Sequence, residues 1–149
     1  MKTLILATTM FALPIAGFAA PVEDAIEARH GYFQMLNHNM AGLAAMAKGE
    51  VDYDEDQAVR FASQIEALTK YDVTVHFIEG SSADDQMDSA AKADIWSNTD
   101  DFHKKYEGLV QAATGAAEGV KGGQKNVGAV VAQLGGACKE CHDTYRVKQ

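Results

Sequence analysis

The sequence predicts an all-α chain, an antiparallel up-down-up-down four-helix bundle, and three observations predict it. Beyond residue 20 the only proline is Pro21. Because prolines end helices, the stretch that follows is free to form four long ones. Apolar residues recur there at helical spacing, and no segment keeps up the alternation of a strand. The links between successive helices are short, which favours antiparallel neighbours. A length of 149 residues without repeats or a low-complexity tail reads as one domain. Such a chain buries a core large enough to dispense with disulfide staples.

Each element follows in order. The first helix is expected over Val22–Lys48, with Pro21 near its first turn and Gly49 as its stop. Its inward stripe is Ile26, Arg29, Phe33, Leu36, Met40 and Leu43. Asp52 or Asp54 caps a second helix carrying Ala58, Phe61, Ala62, Ile65, Leu68 and Val75 on one face. Residues 78–90 are small and polar and read as a longer connection. A third helix carries Ile95, Phe102, Tyr106, Leu109 and Val110, and the Gly-rich stretch 115–123 turns the chain. The last helix presents Val127, Val131, Leu134, Cys138, Cys141 and Tyr145 in steps of four and three, the seam of an antiparallel bundle.

Residues 1–19 read as a cleavable signal peptide and 20–149 as the mature domain. Lys2 supplies a positive start, Leu4 to Phe18 an apolar stretch, and Gly17 and Ala19 the small residues signal peptidase prefers. Cleavage after Ala19 fits better than after Ala20, which would place Phe18 at −3. An uncleaved anchor is the alternative, but a spanning helix needs about 20 apolar residues. This run is shorter and is broken by Pro14. The expected location is therefore the periplasm, with no membrane association in the mature form. Removal of Lys2 makes the formal charge of −8 one unit more negative. That acidity argues against nucleic acid and anionic membranes as partners.

Only two cysteines occur, in Cys138-Lys139-Glu140-Cys141-His142. CxxCH is the attachment signature of covalent haem c, one per chain. On a helix, positions i, i+3 and i+4 share a face, so both sulfurs reach one edge of the macrocycle and His142 reaches the iron. Attachment outside the cytoplasm agrees with the leader. A structural disulfide would leave His142 unexplained. A thioredoxin-like pair lacks its βαβ context, and a zinc site would have to recruit further ligands. Only residues 143–149 follow His142, so any group on the other side of the haem comes from an upstream helix. No nucleophile–base pair or carboxylate dyad has informative spacing, so no enzymatic activity is expected.

The segments LGGACKECHDTYR, EARHGYFQML and IWSNTDDF together resemble cytochrome c′, the class II, four-helix-bundle cytochromes of proteobacteria. The likeness runs in order through the whole mature chain, and cytochromes c′ are themselves a standard example of this bundle topology. It implies thioethers at Cys138 and Cys141 and iron ligation by His142. It also implies Arg146 beside the proximal face, although Arg146 equally complements the negative end of the last helix. Arg29 matches the family arginine that pairs with a haem propionate, a contact suited to a bidentate guanidinium. The next residue, often Gln or Glu in the family, is His30 here.

Phe33 matches the distal position and cannot ligate iron. The resemblance thus implies a five-coordinate, high-spin haem that binds diatomic gases, chiefly NO and also CO, and cycles between Fe(II) and Fe(III). Relatives with methionine there are low-spin electron carriers, so a periplasmic electron-transfer cytochrome with an unidentified redox partner is the alternative. Met35, Met40, Met46 and Met87 are poorly placed to replace Phe33, and His30, His38, His76 and His103 read as ordinary surface or capping residues. Many relatives are homodimers through their first two helices. Tyr32, Met35 and Phe61 are candidates for that contact or for the core.

Overall fold

Pro21 and Gly49 bracket the longest helix as expected. In the computed structural model, which describes residues 21–148, α1 runs Val22–Lys48. The expected leader, 1–19, lies outside the described residues. Gly49 takes the left-handed conformation at φ 72°, where a side chain would be strained. Its N–H bonds Met46 O at 3.1 Å and Glu50 N–H bonds Ala45 O at 2.9 Å, which satisfies the helix's last carbonyls.

Asp54, not Asp52, caps α2 (Glu55–Leu68), its carboxylate accepting from Gln57 N–H at 3.0 Å. α2 ends earlier than the apolar pattern suggests. Asp72 recaptures the backbone by accepting from Thr74 N–H at 3.0 Å and starts a separate 3₁₀ turn, Val73–His76. Val75 therefore leaves the face assigned to it and stands 58 % exposed, while Val73 is buried instead.

The third expected helix is two. α3 (Asp94–Ser97) stops at Asn98, whose backbone leaves helical geometry at φ −137°, ψ 44° and whose side-chain amide returns to Asp94 O at 3.1 Å. α4 (Thr99–Ala113) follows at once. The glycine-rich turn contains a further helical turn, α5 (Ala116–Gly119), which packs on α2 and receives Glu66 at Ala117 N–H at 2.9 Å. α6 spans Gln124–Tyr145. On it Val130 is buried and Val131 only half-buried, a drift of one residue from the expected stripe.

α1, α2, α4 and α6 form the bundle. α1 packs on α2 and α6, and α4 lies along α6. Two sets of contacts establish the alternating directions. At one end Gln124 Nε2 reaches Ala47 O at 3.1 Å and Tyr53 hydroxyl reaches Val120 O at 3.0 Å. At the other, Tyr32 hydroxyl reaches Leu68 O at 3.3 Å and Tyr145 hydroxyl reaches Asp101 at 2.7 Å.

The main core is built on Leu36, Leu43, Ile65, Val127 and Leu134. Each such side chain taken fully out of water contributes about 1.5–3 kcal/mol. Gly42 lets α2 approach α1 closely, since a Cβ there would lie 2.4 Å from the Phe61 ring. Among the described residues no helix is long and apolar enough to cross a membrane.

Candidate cofactor site

α6 carries Cys138, Cys141 and His142 in its last two turns, on one face. The two sulfurs belong to different apolar clusters. Cys138 is half-buried against the main core, as are Phe33 and Met40. Cys141 is half-buried against a smaller cluster of Ala91, Ile95, Phe102 and Tyr145. Both thiols are free. Burial raises the pKa of Cys138, and burial pushes that of Cys141 up to about 11 despite the opposing charge of Lys105. Both are therefore protonated at neutral pH, unlike the thiolates of redox or zinc chemistry. Among the described residues no three His, Cys, Asp or Glu side chains converge to hold a metal ion.

His142 opens onto a shallow cleft of about 340 Å³ that it shares with Asp143, Arg146, Val147 and Lys148. The residue is exposed overall, yet crowding by neighbouring atoms holds its imidazole below the ordinary histidine pKa. The Arg146 charge adds to that effect and Asp143 opposes it. A neutral ring is the form with a lone pair to give a metal. Arg146 itself is exposed at the C-cap of α6, so it stands beside His142 and at the helix end at once.

The turn that bears His142 is fastened from outside α6. Lys92 N–H bonds Tyr145 O at 2.9 Å and Val147 N–H bonds Ala90 O at 2.8 Å, around an antiparallel bridge between Ala91 and Arg146. Lys92 Nζ donates to Thr144 O at 3.0 Å and, more weakly, to Asp143 O at 3.4 Å. Nothing in the helical periodicity marks Lys92. The one available signal is its charge, which suits the negative end of a helix.

Arg29 is buried, as its place on the apolar stripe suggests, at 3 % exposure. Its partners come from the 76–91 segment. Nη1 donates to Ser81 Oγ at 2.7 Å and His76 O at 3.3 Å, and Nη2 donates to Ser81 O and Ser89 Oγ, each at 2.7 Å. The guanidinium also lies 4.8 Å above the Phe77 ring. Among the described residues none of the ion pairs involves Arg29.

Phe33, one turn on, is half-buried and meets Tyr32 edge-on at 5.2 Å and Phe77 at 6.5 Å between ring centroids. Phe77 continues to Phe102 at 4.8 Å, and Phe102 to Tyr145 at 5.4 Å. Trp96 joins this wall and fixes it by donating to Phe77 O at 3.0 Å.

The other candidate ligands are exposed, packed in the core, as Met40 is, or already paired. Met35 is 50 % exposed, Met87 is fully exposed, and Met46 is buried near the far end of α1. His30, His38 and His103 are exposed, and His76 pairs with Tyr71 hydroxyl at 2.5 Å. Of the candidate dimer residues, Tyr32 is core, its hydroxyl 2.9 Å from that of Tyr106. Phe61 is half-buried over Gly42, which leaves Met35 as the one large exposed side chain of the three.

A family profile described as Cytochrome C' matches residues 24–146. The chain belongs to the cytochrome c′ family. A cytochrome c′ of Cereibacter sphaeroides is 44 % identical over the full length of both chains. A cytochrome c-554 of the same organism is 34 % identical, over 99 % of this chain and 97 % of its own. The solved structure of cytochrome c′ from Rhodobacter Spheriodes, 43 % identical, superposes with a TM-score of 0.84 and covers 87 % of this chain and 100 % of its own.

Covalent haem c is the cofactor of the cytochrome c′ family, and the site fits it. Two free, protonated thiols stand one helical turn apart beside a neutral imidazole, with an aromatic wall reaching from α1 to α6.

Proposed function

We propose that this chain is a periplasmic haem protein that binds diatomic gases, NO chiefly and CO as well, and that it is not an enzyme. Cys138 and Cys141 would hold the porphyrin through thioethers, and His142 would ligate its iron. When bound, haem would supply an iron able to bind a diatomic gas and exchange one electron. The residues around it determine which ligands are admitted. Phe33 covers the distal side with a ring that has no ligating atom and no hydrogen-bond donor. Tyr32, its polar neighbour, has its hydroxyl engaged with Leu68 O and Tyr106. Binding of O2 gains from a distal donor, whereas NO and CO depend on one much less, so this surface favours the latter.

The observation that carries the reading is the pairing of Phe33 with its aromatic neighbours on α1 and the 76–91 segment, while of the described methionines Met35 and Met87 are exposed and Met40 and Met46 pack in the main core. Arg146 stands on the proximal side, where its charge disfavours protonation of His142. The acidic surface suits a periplasmic protein that meets basic patches, and a homodimer through α1 and α2, with Met35 in the contact, completes the proposal.

Titration of the reduced holoprotein with NO and CO tests it. Broad high-spin bands that shift on adding either gas are expected. Sharp low-spin bands indifferent to both gases would replace the gas binder by an electron carrier.

A further inference from the structure

Arg29 is buried in the position where the family places a propionate partner, yet its guanidinium fork is already spent on protein. We propose that Arg29 is a positioning residue that clamps the 76–91 segment, so that Phe77 braces Phe33 over the distal side of the haem. This rests on Phe33 lying on that side.

The hydrogen-bond accounting carries the inference. Two N–H groups on Nη1 meet Ser81 Oγ and His76 O, and two on Nη2 meet Ser81 O and Ser89 Oγ. A guanidinium has five N–H donors, so Nε–H alone remains. The serines are oriented to receive them. Ser81 Oγ sends its own proton to Ile78 O at 2.6 Å, and Ser89 Oγ sends its proton to Ser81 O at 2.8 Å. Their lone pairs are thereby turned toward Arg29. A propionate bound end-on would have to displace two of these bonds and one bound side-on, through the remaining Nε–H, at least one, so four of the five donors act on the segment.

The clamp reaches the haem side through one ring. Phe77 is held from three directions: its face under the Arg29 guanidinium, its carbonyl by Trp96 Nε1, and its edge against Phe102. The remaining contact is with Phe33, at 73° between ring planes. Release of Arg29 frees the segment that carries Phe77, and Phe33 then loses one of its two aromatic neighbours. Charge and fork are separable in this arrangement. Lysine preserves the positive charge and loses the planar set of donors.

The test uses haem-loaded protein in two variants, Arg29→Lys and the double variant Ser81→Ala/Ser89→Ala. Hydrogen exchange of peptides spanning 77–91 reads the clamp, and CO rebinding after photolysis reads the distal side. Both variants are expected to exchange roughly tenfold faster in 77–91, with α6 unchanged, and to shift the CO association rate by about threefold or more. Wild-type exchange and CO kinetics in Arg29→Lys would show that charge alone suffices and overturn the clamp. Faster exchange with unaltered CO kinetics in the serine variant would overturn the link from Phe77 to Phe33. If Arg29→Lys does not accumulate, the serine variant decides. Failure of the gas-binding reading is seen separately, in wild-type protein that takes up neither CO nor NO, and the exchange measurement still judges the clamp.

Discussion

Replacing Phe33 with alanine removes the ring proposed to stand where a gas must bind. In the native arrangement that ring sits in edge contacts with Tyr32 at 5.2 Å and Phe77 at 6.5 Å. A ligand on the distal side displaces the ring and gives those contacts up. Each aromatic pair is worth about 0.5–1.5 kcal/mol beyond simple burial, so the two together set a steric toll of about 1–3 kcal/mol. Alanine imposes no such toll, and CO affinity of the ferrous protein should rise by roughly fivefold to a hundredfold. The fold should bear the change. Full burial makes Phe→Ala cost about 3–5 kcal/mol, and Phe33 is half-buried, so a loss of about 2 kcal/mol is expected. Equilibrium CO titration followed by visible absorption measures the affinity, and thermal unfolding measures the stability. Phe33→Val, which keeps part of the packing, should fall between the two. Unchanged or weaker CO binding in both variants would remove Phe33 from the distal side and refute the reasoning.

Three further outcomes are expected. Gly42→Leu should destabilise the bundle by about 1–3 kcal/mol in urea unfolding, because Phe61 already occupies the space its side chain requires; a neutral result would mean that Phe61 swings away freely. Tyr32→Phe should cost about 1 kcal/mol through the bonds its hydroxyl makes to Leu68 O and Tyr106, while haem content stays at one per chain. Asp54→Ala should lower the melting temperature at pH 7 through loss of the α2 cap. Hydrogen bonding from Gln57 N–H depresses the Asp54 pKa, so its contribution is complete above the ordinary aspartate range and is lost as pH falls through the depressed value. Melting curves of variant and wild type should accordingly converge in acid, and a gap that stays constant down to that pH would show that the carboxylate charge is irrelevant.

Much of the architecture was legible in the residues, and what was not has identifiable physical causes. Pro21 and Gly49 delimit α1 because one fixes φ and lacks a donor while the other tolerates left-handed backbone. The CxxCH pattern announces its cofactor because its spacing matches a helical face. Val75 continues the apolar period beyond the end of α2, but a local Asp72 cap outcompetes another helical turn. Asn98 splits the third helix for the same kind of reason, a short polar side chain bonding nearby backbone, here the Asp94 carbonyl. The burial of Arg29 follows from its place on the stripe. Its partners were invisible, because Ser81 and Ser89 lie 52 and 60 residues away in a stretch without periodicity. Lys92, 52 residues from the Thr144 carbonyl it bonds, escaped for that reason too.

Electron paramagnetic resonance of the ferric holoprotein, with no ligand added, tests the central claim most directly. A high-spin signal from iron held by His142 alone is the predicted result. A low-spin signal, with a methionine or second histidine bound opposite His142, would contradict the open distal face and everything proposed for Phe33.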